Sequence, residues 1–227
     1  MAEEKAKKKE KRQPQEQSAC EATCEMLGEN TGGEYVTVFD RSDSMEPRCK
    51  FGTDGVCCRI CAMGPCRIIP DKPGKDRGVC GATVDTIAAR NFIRIIAGGT
   101  AAHSDHGRAV CETLLEVAEG KSKDYVIKDE QKAVKVALDL GIEVGDRPIN
   151  EIAADIARTA LAEFGNQHGE LKYLSKAPLK RQKIWRDLGV APRGIDREVV
   201  EIMHRTTMGV DHEVESLLMQ GARCSLG

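Results

Sequence analysis

Apolar residues recur every three or four positions along most of the chain after residue 82, and this spacing predicts amphipathic helices. The first helix is expected to begin near Val84 and to stop at the pair Gly98 and Gly99, because glycine commonly ends helices. Asn150 is expected to be the N-cap of a later helix, since its side chain can accept a backbone N–H. Further helices are predicted over residues 104–119, 129–140, 150–165, 180–188, 196–207 and 211–220.

The rest of the chain lacks the helical period. Residues 1–17 are charged and nearly free of apolar side chains, so they are expected to be disordered or a frayed helix. Only Tyr35–Phe39 alternates like a strand, and residues rich in Cys, Gly and Pro follow it. The prediction is an all-α fold with three parts: a charged tail (1–30), a Cys-rich segment (31–82) and a helical domain (83–227).

Composition and charge exclude several classes of protein. The 227 residues carry a net charge of −2, so no nucleic-acid footprint is expected, and the basic run near Lys7 is broken by acidic residues. The N-terminus has no secretory signal, and the sequence has no apolar run long enough to span a membrane. A cytoplasmic protein is therefore expected. In a reducing cytosol its ten cysteines are more readily explained as metal ligands or redox groups than as disulfides.

Six of the ten cysteines crowd into residues 49–80 with the spacing C-x7-C-C-x2-C-x4-C-x13-C. Thiolates this close together are soft ligands, which hold iron–sulfur clusters or zinc. The spacing favours iron–sulfur over zinc, because structural zinc sites prefer two C-x2-C pairs and only Cys58 and Cys61 have that separation. The neighbouring glycines also allow backbone amides to approach cluster sulfur. A zinc-stapled interaction domain is the weaker alternative.

Four of these six thiols make a natural ligand group, here called the four-cysteine set (Cys58, Cys61, Cys66 and Cys80). Cys57 adjoins Cys58 and its side chain should diverge, so it is assigned with Cys49 to an outer pair. The outer pair is expected either to complete a second cluster with the same pair of a symmetry-related subunit or to be two simple buried thiols. The same segment contains four arginines: Arg48, Arg59, Arg67 and Arg77. Each is expected either to offset the negative charge of a cluster or to be an ordinary surface charge.

The other histidines and cysteines, and the single tryptophan, are expected to have ordinary structural roles. His103 and His106 follow the glycine pair, and residues alone favour surface or capping roles. Cys20 and Cys24 share a helix face as ordinary thiols, Cys111 is expected in the core, and Cys224 stays uninterpreted. The remaining features carry no predicted chemistry: Trp185 is expected to be a packing anchor, and His204 and His212 are placed in helices without a partner ligand.

The segment from Cys49 to Gly107 carries a resemblance: CKFGTDGVCCRICAMGPCRIIPDKPGKDRGVCGATVDTIAARNFIRIIAGGTAAHSDHG. It resembles the N-terminal region of anaerobic nickel–iron carbon monoxide dehydrogenases of the prismane/hybrid-cluster-like superfamily, strongly over residues 40–120. The resemblance implies that the four-cysteine set holds an intramolecular [4Fe–4S] cluster. It also implies that the outer pair, with the pair of a second subunit, holds a surface cluster at the dimer axis, as [4Fe–4S] rather than [2Fe–2S].

The same resemblance implies an enzyme that converts CO and water to CO2, two protons and two electrons. The ligands of the family's nickel centre lie well downstream, and the apolar last residues suggest that the sequence is a fragment. The chain is therefore expected to be the electron-relay and dimerisation part, without the family's catalytic α/β domains, and inactive alone. His103 is expected near the nickel centre as an acid/base group, in a histidine relay shortened by Ala109 and Glu112.

Expected partners are a second copy in a homodimer, a ferredoxin-type acceptor and, in some relatives, an acetyl-CoA synthase subunit. The alternative function is a stand-alone iron–sulfur electron-transfer or redox-sensing module without catalysis.

Overall fold

The computed structural model describes residues 12–227, and these divide into two compact units. One unit ends at Lys50, and the other runs from Phe51 to Gly227. The predicted boundaries at residues 30 and 82 stay predictions.

The first unit is built from short helices: α1 (Pro14–Gln17), α2 (Glu21–Glu29), a 3₁₀ turn (Asn30–Gly32) and α3 (Val38–Ser44). The strand predicted over Tyr35–Phe39 is wrong. Thr37 instead begins α3, because its hydroxyl accepts the Asp40 N–H at 3.2 Å while the Asp40 carboxylate accepts the Thr37 N–H at 2.8 Å. Two helices thus lie within the predicted tail, whose first eleven residues fall outside the described residues.

The second unit is mainly helical, as predicted, with a two-stranded antiparallel ladder. Helix α4 (Lys50–Thr53) spans the point in the sequence at which the first unit ends and the second begins. The following elements are β1 (Cys57–Cys58), β2 (Cys66–Arg67), α5 (Val84–Ala118), α6 (Glu130–Asp139), α7 (Ile149–Gly165), a 3₁₀ helix (Lys172–Lys176), α8 (Leu179–Asp187), α9 (Ile195–Arg205) and α10 (Val214–Leu226).

Helix α5 is continuous over 35 residues, so the predicted stop at Gly98 and Gly99 is wrong. Glycine inside a helix costs about 1 kcal/mol relative to alanine, which tertiary packing can offset. Here Ile93 and Ala97, on the face just before the glycines, are buried against α9 and α10. One turn later the Thr100 hydroxyl donates to the Cys224 carbonyl of α10 at 3.0 Å, so contacts on both sides of the glycines hold the helix together.

The separate helix predicted over residues 104–119 is wrong, because these residues continue α5. The other later helices are confirmed with shifted ends, the largest shift being that α10 reaches Leu226. Asn150 is not an N-cap, because α7 already begins at Ile149 with Pro148 before it. Pro148 is itself the N-cap residue, with an extended ψ of 142°, and it provides no side-chain cap. Trp185 packs at the edge of an apolar cluster around Phe164, as predicted.

Helices α5, α7, α9 and α10 pack together as the bundle of the second unit. Its central cluster joins residues of α5, α9 and α10 and includes the fully buried Ile93, Ile202, Leu217 and Cys224. At Gly221 a Cβ atom would come within 2.7 Å of Ile93, so glycine is what allows α10 to lie this close to α5. The bundle thereby fixes the N-terminal end of α5, which follows the Cys-rich segment directly.

One carboxylate lies inside this bundle with a full set of partners. Glu198 is completely buried and accepts the Arg193 backbone N–H, the Arg193 guanidinium and the Gln220 amide at 2.8–2.9 Å. Burial raises the pKa of Glu198, but these donors outweigh it and leave the pKa below its usual range. The buried charge therefore remains ionised and joins α9 to α10.

Over residues 12–227, no helix combines the length and apolar character needed to cross a bilayer.

Candidate metal-cluster site

The four-cysteine set lines a single pocket at the N-terminal end of α5. The walls of this pocket are largely apolar. All four thiols are half-buried. The other lining residues are Ile60, Gly78, Val79, Ala82, Ile87, Arg90 and Met208.

The short ladder brings the first three thiols together. Cys58 in β1 lies opposite Cys66 in β2, and Cys61 lies in the turn that joins the strands. At Gly64 in that turn, a Cβ atom would stand 3.1 Å from the Cys58 carbonyl oxygen, which is tighter than side chains ordinarily tolerate. Glycine therefore lets the chain fold back closely enough to pair Cys58 with Cys66.

A second tight loop brings the fourth thiol to the same pocket. The Gly78 N–H donates to the Ala82 carbonyl at 2.8 Å, and Gly81 has the left-handed φ of 88° that favours glycine. Thr83 then caps α5 by accepting the Thr86 N–H at 3.3 Å. Because the cap follows the loop immediately, Cys80 is held at the start of the bundle's longest helix.

Two N–H donors point at the sulfurs. The Val79 backbone N–H lies 3.5 Å from Cys66 Sγ, and Arg90 Nη1 lies 3.6 Å from Cys80 Sγ. Burial raises the pKa of the Cys80 thiol, but hydrogen bonding from Ala82, Arg90 and His212 outweighs it and lowers the pKa to about 7. The lower pKa makes the thiolate of Cys80, the form that binds metal, more available near neutral pH.

The donor set suits an iron–sulfur cluster. Four thiols share an apolar pocket, an amide N–H reaches one sulfur, and a buried cation faces another. Arg90 Nε is also buried and has no hydrogen-bond partner among the described residues. No three His, Cys, Asp or Glu side chains in residues 12–227 are grouped around one metal-ion position. A cubane instead takes its thiolates at separate corners, so ligands need not converge on one point.

The outer pair lies outside this pocket. Cys57 is half-buried in β1, and its carbonyl accepts the Asn91 side-chain amide at 3.2 Å. Neighbouring side chains of a strand point to opposite faces, which agrees with the expected divergence of Cys57 from Cys58. Cys49 is exposed and belongs to the unit that ends at Lys50.

His103 is exposed on α5 and lies at a second, larger cavity of about 690 Å³. Its Nδ1–H donates to the Gly99 carbonyl at 2.9 Å, because a carbonyl can only accept, and this leaves Nε2 as the acceptor nitrogen. Cys111 and Tyr173 line the same cavity, and burial raises the pKa of both. Cys111 is half-buried there, while Cys224 is fully buried in the core.

The four arginines singled out in the segment behave as surface groups. All four are exposed. Three of them make local surface contacts: Arg48 pairs with Glu46, Arg67 lies over the Phe51 ring, and Arg77 donates to the Gly81 carbonyl. The arginine that does reach a thiol, Arg90, was not predicted. Its signal was present in the pattern, since it occupies the buried stripe of α5 where an apolar residue is expected.

His212 corrects a second prediction. It lies just before α10 rather than within a helix, and its Nε2–H donates to the Cys80 carbonyl at 3.1 Å. The Thr86 hydroxyl donates to the His212 carbonyl at 2.9 Å. The hydrogen bond between His212 and Cys80 joins residues 132 positions apart, and no periodic pattern in the sequence can reveal a contact at that separation.

Comparison with known proteins gives one consistent result. The Prismane/CO dehydrogenase family matches residues 56–227. "Carbon monoxide dehydrogenase 1" of Methanosarcina acetivorans is 48% identical over 190 residues, covering 84% of this chain and 30% of that protein. The chain thus spans about a third of the length of the curated relatives it matches.

Comparison with solved structures also finds carbon monoxide dehydrogenases. The Ni-free carbon monoxide dehydrogenase of Thermococcus sp. AM4 matches with a TM-score of 0.85 and 45% identity, over 96% of this chain and 35% of that one. A structure of acetyl-CoA synthase/carbon monoxide dehydrogenase, described by NiZn[Fe4S4] and NiNi[Fe4S4] clusters in its alpha subunits, matches with a TM-score of 0.82 and 38% identity, over 89% and 31%.

Proposed function

The chain belongs to the Prismane/CO dehydrogenase family, and we propose that it is the electron-relay and dimerisation part of an anaerobic nickel–iron carbon monoxide dehydrogenase. The whole protein would be an oxidoreductase that converts CO and water to CO2, two protons and two electrons. Its catalytic α/β domains and the ligands of its nickel centre are assigned to sequence outside this chain.

The observation that carries this proposal is the pocket of the four-cysteine set. Residues separated by up to 22 positions place four thiols around one small cavity, with an amide and a guanidinium directed at two of the sulfurs. We assign a [4Fe–4S] cluster to these thiols. When bound, such a cluster stores and releases single electrons at a potential set by its surroundings.

This chain's residues supply those surroundings. The four thiolates hold the cluster, and the apolar walls, including Ile60 and Ile87, exclude water. Because the Val79 N–H and the Arg90 guanidinium donate toward sulfur, they offset the negative charge of a site with four thiolates.

The outer pair is assigned to a second [4Fe–4S] cluster, shared with the same pair of a second subunit. The alternation of β1 supports this, since it directs Cys57 away from the pocket of Cys58. An isologous interface brings equivalent residues of two subunits together, so two thiols from each chain suffice for four ligands.

His103 is assigned as an acid/base group of the complete enzyme. The acceptor nitrogen Nε2 and the position of His103 at the edge of the larger cavity support this role. Further parts of the proposal are a cytoplasmic homodimer, a ferredoxin-type acceptor and, where the partner is present, an acetyl-CoA synthase subunit.

The test is the iron and acid-labile sulfide content per chain after purification without oxygen. One private cluster and half of a shared one correspond to about six irons per chain, the result we expect. About four irons would retain the four-cysteine site but remove the outer pair from the proposal. Iron near zero with one bound zinc would contradict the redox function.

A further inference from the structure

Arg90 is a buried cation that forms no ion pair with a carboxylate of residues 12–227. It is 1% exposed on α5, at the wall of the pocket formed by the four-cysteine set. Burying a guanidinium is costly unless it is paired and hydrogen-bonded. Its Nη2 donates to the Asp211 backbone carbonyl, its Nη1 lies 3.6 Å from Cys80 Sγ, and its Nε has no partner among the described residues.

The carboxylate of Asp211, whose backbone carbonyl accepts from Arg90, is already occupied. The Asp211 side chain accepts from Arg205 Nη1 at 3.0 Å, from the Ser216 hydroxyl at 2.8 Å and from the Glu213 N–H at 3.0 Å. Arg90 forms no ion pair with any of the described carboxylates. Its charge is therefore left to face the pocket and the sulfur of Cys80.

Neighbouring contacts fix this arrangement. The Asp211 carbonyl receives Arg90, and the adjacent His212 donates to the Cys80 carbonyl at 3.1 Å. The turn before α10 thus holds both the arginine and the loop that carries the thiol. Arg90 reaches Cys80 from a rigid helix and not from a mobile surface side chain, so its distance to the sulfur is set by the bundle.

We propose that Arg90 is the built-in counter-ion of the cluster held by the four-cysteine set and that it raises the cluster's midpoint reduction potential. The inference rests on the proposed cluster. Reduction adds one electron, so the reduced form interacts more strongly with a nearby cation than the oxidised form does. A charge-assisted hydrogen bond to the Cys80 thiolate adds to that preference.

The test is a redox titration of the full chain, monitored by electron paramagnetic resonance under anoxia. We expect Arg90→Gln to lower the reduced-to-oxidised ratio at fixed potential by about tenfold, or about 59 mV for a one-electron couple. Arg90→Lys, which keeps the charge, should fall between wild type and Arg90→Gln. A purely structural role would leave the potential of any retained cluster unchanged.

Arg94→Gln is the matched control. Arg94 lies one turn further along α5 and donates to the Thr206 hydroxyl at 2.8 Å, but it does not line the pocket. We expect this variant to keep the wild-type potential. A wild-type potential in Arg90→Gln, or an equal shift in Arg94→Gln, would overturn the proposal.

If Arg90→Gln loses the cluster but circular dichroism shows a folded protein, the iron content of the variants still tests the counter-ion role. Retention by Arg90→Lys would then support the counter-ion role, because charge alone would separate the two variants. Loss from both variants, with retention in Arg94→Gln, would indicate a need for guanidinium shape and overturn the charge argument. The wild-type iron content tests the proposed cluster independently of all three variants.

Discussion

The helical bundle and the Cys-rich segment of the second unit are stabilised in different ways. The bundle buries apolar side chains from three helices around Ile202 and Leu217, and it needs no ligand to do so. The segment from Cys57 to Cys80 contains two strands of two residues each, and its apolar contacts centre on Ile68, Ala82 and Ile87. A region with so little packing of its own would depend for its stability on the proposed cluster, whereas the bundle supplies a fixed platform.

The largest expected effect falls on the bundle alone. Replacing Glu198 by alanine removes a completely buried partner of Arg193, which keeps its pair with Glu201. Breaking a buried pair costs about 3–5 kcal/mol, and we expect a loss near the lower end of that range because Arg193 stays paired. Urea denaturation should show that loss, while iron per folded chain stays at the wild-type level. Glu112→Ala, at an exposed position of α5, should change the free energy of unfolding by no more than about 0.5 kcal/mol. Equal effects of both substitutions would refute this role of Glu198.

Acid should destabilise the bundle through Glu201, the second buried carboxylate that pairs with Arg193. Burial raises the pKa of Glu201, but hydrogen bonds from Arg193 and Arg205 outweigh it and hold the pKa below the ordinary value of 4.5. A lowered folded-state pKa stabilises the protein above pH 4.5, and this contribution is lost as pH falls through the folded-state value.

The free energy of unfolding should therefore decline below pH 4.5, and Glu201→Gln should decline less steeply. Denaturation at a series of pH values measures both slopes. Identical slopes in the two proteins would show that Glu201 does not contribute.

A smaller effect is expected where the two regions meet. Thr83 accepts the Thr86 N–H at the start of α5, and loss of such a cap costs about 1 kcal/mol. Thr83→Ala should also increase amide exchange in the loop around Cys80. Thr113→Ala, at a half-buried position in the middle of α5, should do neither, so matching exchange in the two variants would argue against coupling through the cap.

Much of the bundle could be predicted from the sequence because helical periodicity is local. The failures arose where distant contacts or local capping decided the outcome. Packing against α10 carries α5 through Gly98 and Gly99, and the capping contacts of Thr37 and Asp40 convert an apparent strand into α3.

The grouping of the four cysteines around one pocket could also be predicted, because it follows from their spacing along the chain, while their role as cluster ligands stays a prediction. The roles of Arg90 and His212 could not, since their contacts depend on how the turn before α10 returns to the start of α5. A charged residue in a buried stripe is nevertheless a usable signal. Applied to α5, that signal selects Arg90.

The most direct test of the central claim is iron and acid-labile sulfide in Cys66→Ser, beside wild type and the control Cys20→Ser. Cys66 lines the pocket, whereas Cys20 is exposed at the start of α2. We predict a fall from about six irons per chain to about two in Cys66→Ser, with the control unchanged. The helical signal in circular dichroism should be the same in all three proteins. Wild-type iron in Cys66→Ser would contradict the assignment of the four-cysteine set.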